Sequence, residues 1–349
     1  MFNSVSGFSL RSAHFLKLTI MLKRVSVLIV LGVILSFSGC VHEETEDCVQ
    51  GIRLRFTYTL NNQQVNLFGA NVEMVTVFAF DESGKYLNTY SSKGTTLTKD
   101  YVMTLPLKAG KYSFVVLGGN LSSYQIVEMI NSATDEVSSE LKQGQTDIQK
   151  LAFLIDANPP ASGPLVIDNM LTDLYHGVIM GFESPLGVVS EATVDLIKDT
   201  NNINIMILGM DYLYKYIEDM GGDIKNVLAF DVFSDNGRYM YDNSPDLYSH
   251  ELNYKFFNTR VNGDTLCTTT RILRLFATND PTVLSVKIPD KTDIYSTNLV
   301  SAIMQNPDYN SQTDLDREDQ YNFVIRFQPD YTVEITINDW EIVSIVPSN

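Results

Sequence analysis

Basic residues are scarce in this chain. Its 349 residues include 25 Lys and Arg against 42 Asp and Glu, which gives a formal net charge of −17 at pH 7. Nucleic acids are bound mainly through Lys and Arg contacts to phosphates, so this composition disfavours a nucleic-acid partner. It equally disfavours electrostatic adhesion to anionic lipids, which requires basic patches. Two large classes of binding protein are therefore poor matches.

Recognisable catalytic and cofactor-binding motifs are also missing. None of the four histidines belongs to an HExxH zinc motif, and no serine stands in a GxSxG nucleophile motif. His176 and His250 are the only histidines far from the N-terminus, and we interpret them as turn or partly buried residues. The pairs Gly118-Gly119 and Gly221-Gly222 lack the ending of a phosphate-binding loop. We therefore expect no enzyme activity, no catalytic residue and no cofactor.

One acidic cluster has the spacing of metal ligands. Asp314, Asp316 and Glu318 match the first three ligand positions of a calcium-binding loop. Asp319, however, stands where such a loop requires glycine, and Ile325 stands where it requires a bidentate acid. We interpret the cluster as a solvated acidic turn and predict no metal site.

Long apolar runs are absent except for one near the N-terminus. Residues 25–37 are mostly apolar but too few for a membrane-spanning helix, which takes about 20 residues. The run follows Lys23 and Arg24 and ends at Ser38 and Gly39, a pattern typical of a secretory signal peptide. Cys40, directly after it, resembles the lipobox cysteine of bacterial lipoproteins, whose thiol is acylated and becomes the first residue of the mature protein. An ordinary signal peptide with an incidental cysteine is the alternative.

This interpretation divides the N-terminal region. Residues 1–39 are expected to be an upstream extension followed by a lipoprotein signal peptide that starts at Met21, with Cys40 as the lipidation site. Residues 40–50 form an acidic spacer that resembles the surface-export signal of Bacteroidetes lipoproteins, although a solvated linker explains it as well. Loss of residues 1–39 removes four basic residues and no acid, so the net charge falls from −17 to −21. Acyl chains contribute about 0.8 kcal/mol per buried CH₂, so two or three would anchor the protein permanently.

Cysteine is scarce too, with three in the chain. Besides Cys40, only Cys48 and Cys267 remain. An exported protein permits a disulfide between them, which would tie the spacer to the second half of the chain. Two separate free thiols are the alternative, and both stay open.

Beyond the spacer, the hydrophobic pattern has a period of two, which indicates β-strands. Ile52, Leu54, Phe56 and Tyr58 alternate with polar residues as a half-buried strand. Four further segments are predicted: an apolar strand over 75–80 that ends in a turn at Gly84, a strand pair over 100–117, a short helix around 126–130, and a closing hairpin over 322–340.

The second half contains a copy of a first-half pattern. VTVFAFDESGKYL (75–87) aligns with LAFDVFSDNGRYM (228–240) at a constant offset of 153 residues. Each copy is predicted to be a strand, a tight glycine turn and a return strand. We infer an all-β protein with two β-sandwich domains, over residues 51–187 and 188–349.

Several stretches, in this order, resemble the FimB-type fimbrial anchor lipoproteins of Bacteroidales, which are Mfa-like members of the fimbrillin superfamily. They are the lipobox and acidic spacer, GIRLRFTYTLN (51–61), VTVFAFDESGKYL (75–87), DLYHG (173–177), LIKDTNNINIMI (196–207), LDREDQYNFVIRF (315–327) and ITINDW (335–340).

The resemblance implies two tandem transthyretin-like β-sandwich domains and a non-enzymatic role. A protein of this family would anchor the fimbrial polymer to the outer membrane at its base, on the cell surface. Its partners would be the major subunit fimbrillin, through strand addition, other minor subunits, and the membrane through the lipid. Two alternatives stay open: a surface lipoprotein that binds a glycan or host ligand, and a tip or stalk subunit of the same superfamily.

The first strand carries a further hypothesis. Fimbrial subunits of this class polymerise after an Arg-specific protease removes an N-terminal strand, and a neighbour's strand then fills the open groove. This chain has no Arg or Lys between Arg55 and Lys85. We therefore expect residues 52–58 to stay in place and to keep the lipid joined to the fold.

Overall fold

The computed structural model describes residues 51–157, 160, 162–221, 228–246, 250–288 and 293–345. These residues belong to one compact unit of the chain, Gln50–Asn349. The predicted signal peptide and spacer, with Cys40 and Cys48, lie outside the described residues. Among the described residues, none of the helices has the length and apolar character needed to cross a bilayer.

Most of the described chain forms short strands. The strands of the first half are β1 (Gly51–Thr57), β2 (Met74–Phe80), β3 (Tyr86–Lys93), β4 (Val102–Leu105), β5 (Gly110–Gly118), β6 (Tyr124–Asn131), β7 (Glu136–Ser138), β8 (Leu151–Ile155), β9 (Leu165–Ile167), β10 (Tyr175–Ser184), β11 (Val189–Asp195) and β12 (Ile197–Lys198). Those of the second half are β13 (Thr200–Leu208), β14 (Ala229–Ser234), β15 (Arg238–Met240), β16 (Leu252–Lys255), β17 (Phe257–Asn262), β18 (Thr265–Leu273), β19 (Val283–Lys287), β20 (Asp293–Asn298), β21 (Gln320–Phe327), β22 (Val333–Ile337) and β23 (Trp340–Ile345).

In the described ranges, four short α-helices interrupt the strands: α1 (Phe68–Asn71), α2 (Met210–Asp219), α3 (Leu299–Ile303) and α4 (Gln312–Arg317). The same ranges contain three single turns of 3₁₀-helix, at Leu121–Ser123, Ser132–Thr134 and Ile148–Lys150.

The strands form five sheets. Their strand orders are β11-β1-β4 (sheet 1), β12-β10-β5-β2-β3 (sheet 2), β17-β18-β13-β21-β22-β23 (sheet 3), β20-β19-β14-β16-β9 (sheet 4) and β15-β8-β6-β7 (sheet 5). The predicted all-β sandwich fold is therefore confirmed.

Sheet 2 separates two hydrophobic cores. Val75, Val77 and Ala79 of β2 pack into the smaller core with sheet 1. Phe78 and Phe80 of the same strand point the other way, into the larger core that sheets 3, 4 and 5 share. The continuously apolar sequence of β2 is explained by this position, because both of its faces are covered.

Several predicted elements are confirmed. Gly84 has a positive φ of 75° in the turn between β2 and β3, which pair as an antiparallel hairpin. The closing hairpin is present as β21 and β22, with Val333, Ile335 and Ile337 buried on one side.

Three local predictions are wrong. The predicted strand pair over 100–117 is not a hairpin, because β4 pairs with β1 in sheet 1 whereas β5 pairs with β2 and β10 in sheet 2. The segment around 126–130 is strand β6 rather than a helix, since it pairs with β7 on one side and β8 on the other. The second copy of the repeat is not a hairpin either. Its first strand, β14, pairs with β16 and β19, whereas its return strand, β15, pairs with β8 in another sheet.

Strand pairing crosses the predicted domain boundary between residues 187 and 188. β11 runs parallel to β1, and β12 pairs with β10, so residues 189–198 join the sheets of the first half. In the other direction, β8 and β9 pair with β15 and β16 of the second half. The division into two domains stays a prediction.

Candidate functional site

The first strand of the fold is the natural candidate site, because it joins the N-terminal residues, with the predicted lipidation site Cys40, to the rest of the fold. β1 lies in the middle of sheet 1. It is parallel to β11, with Gly51 opposite Val189, and antiparallel to β4, with Ile52 opposite Leu105. A strand hydrogen-bonded on both sides cannot leave without breaking two ladders at once.

The inward side chains of β1 and of the residue after it fill the smaller core. Ile52, Leu54, Phe56 and Tyr58 are each no more than 1% exposed, as the alternating pattern predicts. The Phe56 ring stacks on Phe68 at 5.6 Å. The Tyr58 ring meets Tyr175 edge-on at 5.1 Å. Burial of a large apolar side chain contributes about 1.5–3 kcal/mol, so the four together contribute roughly 6–12 kcal/mol, comparable to the whole stability of a domain.

The outward side of β1 is held by polar contacts with β11. Arg53 pairs with Glu191 at 2.8 Å on the exposed face, a contact that adds little stability. The Asp195 carboxylate accepts hydrogen bonds from the hydroxyls of Thr57 and Thr59, both at 2.8 Å. Asp195 therefore fixes the chain at the end of the strand, where the path turns into the next loop.

The loop after β1 is compact. The buried Asn61 side chain donates to the carbonyls of Tyr58 and Val65 at 3.0 and 2.8 Å. Asn66 accepts from the backbone amides of Tyr58 and Phe68, both at 3.1 Å. The loop after β1, which lacks Lys and Arg, is therefore held in a compact conformation by hydrogen bonds of its own asparagine side chains.

This loop also contacts the second half of the chain. Asn62 donates to Glu318 Oε2 at 2.8 Å. Nearby, the buried Lys198 ammonium lies 2.6 Å from Asp319 Oδ2 and 3.1 Å from Asp173 Oδ1. Three of the stretches that carry the family resemblance, around residues 173, 198 and 319, therefore meet at this junction.

A glycine permits the close packing at the junction. Gly119 has a φ of 94°, and a Cβ atom there would lie 2.0 Å from the carbonyl oxygen of Asp173. Any other residue would push the 173–177 segment away.

The acidic cluster around 314–318 belongs to this junction, so its interpretation as a solvated turn is wrong. Asp316 and Glu318 are buried. Asp316 forms a two-pronged ion pair with the Arg274 guanidinium at 2.6 and 2.7 Å. Glu318 accepts from the Tyr309 hydroxyl at 3.0 Å. These acids thus bind protein groups, and among the described residues no His, Cys, Asp and Glu group has the arrangement of a metal site.

Two titratable groups are fully buried close to the junction. His176 stacks on Phe153 at 5.7 Å, and its Nε2 lies 2.9 Å from the Tyr241 carbonyl. Burial lowers the His176 pKa to about 4. Asp199 accepts from Asn243 at 2.8 Å, and burial raises its pKa to about 7 although Arg274 opposes that change. His176 is thus a core residue, more deeply buried than the sequence indicated.

These pKa shifts predict opposite dependences of stability on pH. His176 binds fewer protons in the folded than in the unfolded protein between about pH 4 and 6.5, so its contribution to stability rises with pH there. Asp199 binds more protons in the folded protein between about pH 4 and 7, so its contribution falls as pH rises. In the wild type, the two slopes oppose each other.

Replacement of Asp199 by asparagine should leave the pH dependence that His176 gives to the stability without the opposing contribution of Asp199. We expect the unfolding free energy of Asp199→Asn to rise more steeply with pH than that of the wild type over this range, measured by urea denaturation at several pH values. Glu191→Gln, which removes an exposed carboxylate, is the matched control and should keep the wild-type slope. An Asp199→Asn profile parallel to the wild type would contradict the assigned pKa.

The remaining predicted site residue, Cys267, lies away from β1. It is partly exposed on β18, opposite Met206 of β13, and forms no disulfide with another described residue. It lines a groove of about 710 Å³ on the outer face of sheet 3, together with Asn204, Asn322 and Val324. Because Cys48 lies outside the described residues, the Cys48–Cys267 disulfide stays a prediction.

The fold and the buried first strand define an all-β sandwich protein. The family model for the fimbrillin-A associated anchor proteins Mfa1 and Mfa2 matches residues 44–346. The chain belongs to this family, which confirms the resemblance in the sequence and makes it a fimbria-associated protein with a cell-surface or fimbrial location. Comparison with curated protein sequences gives no significant match.

Solved structures share the fold. The fimbrial anchor protein Mfa2 from Porphyromonas gingivalis matches with a TM-score of 0.64 and 22% identity, over 85% of this chain and 100% of that one. A candidate polysaccharide-binding protein from Bacteroides thetaiotaomicron matches with a TM-score of 0.69 and 23% identity, over 83% and 96%. A candidate adhesin from the same species matches with a TM-score of 0.64 and 25% identity, over 84% and 97%.

Proposed function

We propose that this protein is a lipid-anchored minor subunit that holds a fimbrial polymer at its base in the outer membrane. Acylated Cys40 would be the membrane attachment, and residues 41–50 would connect it to the fold. The role is structural, with no reaction to catalyse. The observation that carries the proposal is the position of β1, paired on both sides and buried along its inner face. A force that pulls on the polymer would be transmitted through this strand from the fold to the lipid.

A retained first strand distinguishes this subunit from one that polymerises at both ends. A subunit that loses its first strand offers an open groove, whereas this chain has no Lys or Arg between Arg55 and Lys85 and would keep its groove filled by β1. It would therefore end the polymer on the membrane side.

The polymer contact would use a free sheet edge. β23 is the last strand of sheet 3 and pairs only with β22 among the described strands. Its first residue, Trp340, has an exposed side chain. An exposed edge can accept a partner strand through its unpaired backbone groups. We propose this edge as the place where fimbrillin adds a strand.

Affinity capture tests the proposal. The tagged protein is isolated from detergent-solubilised outer membranes, with a tagged unrelated outer-membrane lipoprotein as control. We expect a ladder of heat-resistant fimbrial polymer with this protein and none with the control. Recovery of the protein alone would contradict the anchor function. Recovery with a glycan-uptake complex would favour a glycan-binding surface lipoprotein instead.

A further inference from the structure

Two loops lie at the end of the first sandwich where β1 begins. Gly51 is opposite Val189, Ile52 is opposite Leu105, and Ser184 is opposite Gly110. The β4–β5 loop (106–109) and the β10–β11 loop (185–188) are therefore beside the point where the chain from Cys40 enters the fold. We call this pair of loops the tether end.

The tether end is apolar and contains no acid. Its sequences are Pro-Leu-Lys-Ala (106–109) and Pro-Leu-Gly-Val (185–188), in a chain with a net charge of −17. Leu186 is 67% exposed and Val188 is 51% exposed. Val189 beside them is also exposed. Three large apolar side chains within four positions thus point away from the described protein, a concentration that usually marks an interaction surface.

The turn geometry makes the second loop protrude. Gly187 has a φ of 76°, and a Cβ built there would have no atom within 4 Å. The neighbouring residues Ser184 and Ser190 are buried, so only the loop itself projects.

The length of the spacer determines what lies opposite the tether end. Cys40 and Gly51 are eleven residues apart, and at about 3.6 Å per residue an extended chain reaches at most about 40 Å. A relaxed chain of this length spans about half of that. A lipid on Cys40 would therefore keep the tether end close to the bilayer surface.

The spacer is a poor occupant of this apolar surface. Residues 41–50 are VHEETEDCVQ, with four acids and only two valines. The net charge also disfavours attraction to anionic headgroups, so insertion of apolar side chains is the contact that fits.

We propose that the tether end is a membrane-contact surface that inserts Leu186 and Val188 into the interfacial region of the bilayer to which Cys40 is attached. The inference rests on the proposed lipid anchor. Insertion would fix the orientation of the protein on the membrane. β1 would run away from the bilayer, and the second half of the chain, which lies near the far end of β1, would be on the side away from the membrane. A lipid tether alone would leave that direction free.

Spin labels at the two ends of the first sandwich test this proposal. Leu186→Cys and, separately, Val188→Cys are labelled with a nitroxide in a Cys48→Ala, Cys267→Ala background that keeps Cys40. The matched control is Val65→Cys, which is 50% exposed in the loop at the far end of β1. The full-length proteins are purified from outer membranes, reconstituted into neutral phosphatidylcholine vesicles and floated before measurement.

We expect a several-fold loss of collisions with a water-soluble nickel chelate at positions 186 and 188 relative to 65, with a gain in collisions with oxygen. Equal accessibility at all three positions would overturn the proposal. Loss of collisions with both reagents would overturn it too, because the loop would then be covered by protein. Failure of the protein to float with vesicles would instead contradict the lipid anchor, so the two failures are distinguishable.

Discussion

Replacement of Cys40 by alanine should release the protein, and the fimbriae with it, from the cell. The thiol is the group that would carry the acyl chains, and alanine cannot be acylated. Since each buried CH₂ contributes about 0.8 kcal/mol, loss of two or three chains would remove essentially all membrane affinity. Quantitative immunoblots of washed cells and culture medium should show fimbrillin moving from the cells to the medium.

The other two cysteines provide matched controls. Cys48→Ala changes the same spacer, and Cys267→Ala removes the cysteine side chain on β18. Both proteins should retain fimbriae on the cells at the wild-type level. Fimbriae that stay attached in the Cys40→Ala strain would refute the lipid anchor. Shedding by both Cys48→Ala and Cys267→Ala would point to the predicted disulfide as the connection to the fold.

Truncation of Phe56 should have the largest effect on the stability of the fold. Its ring is fully buried between Phe68 and Tyr101, at 5.6 and 6.2 Å, in the centre of the smaller core. Large-to-small changes at such positions cost about 3–5 kcal/mol, because the transfer energy is lost and a cavity remains. We expect a loss of this size for Phe56→Ala in urea denaturation. Arg53→Ala, on the exposed side of β1, should cost less than about 1 kcal/mol.

Limited trypsin digestion of the wild type and of Phe56→Ala tests whether β1 stays in place. Trypsin should leave Arg53 and Arg55 uncut in the folded wild type, while the exposed Lys99 in the β3–β4 loop serves as an accessible site. Phe56→Ala should become sensitive at Arg55, since a weakened core lets the strand open. Clean cleavage of the folded wild type at Arg53 or Arg55 would disprove the retained strand.

The features that local sequence predicted correctly are those with short-range causes. The alternation of apolar and polar residues over 52–58 identified both the strand and its buried face, because successive side chains in a strand point to opposite sides. Gly84 and the closing hairpin followed from turn chemistry between neighbouring strands. The wrong helix at 126–130 shows the limit of this approach. Its apolar spacing fits either structure, and the pairing of β6 with β7 and β8 decided for a strand.

The candidate site likewise has one part that the sequence predicted and another that only the structure shows. The sequence predicted that residues 52–58 form a retained strand, because alternation and the missing basic residues are local facts. The sequence did not reveal that the stretches around residues 173, 198 and 319 lie together in the fold, because the residue pattern within one stretch does not indicate which distant stretch it contacts.

The sequence by itself thus determined the β-rich pattern and the lack of Lys and Arg between Arg55 and Lys85, and it predicts the signal peptide. Only the tertiary structure decided which sheet each strand joins and which charges are buried. Return strand β15 pairs with β8, more than 80 residues away in the chain, rather than with the strand before it. Asp316 is buried because Arg274 lies opposite it. The reason is physical: a buried carboxylate is stable only beside a partner charge, and long-range packing alone brings that partner into place.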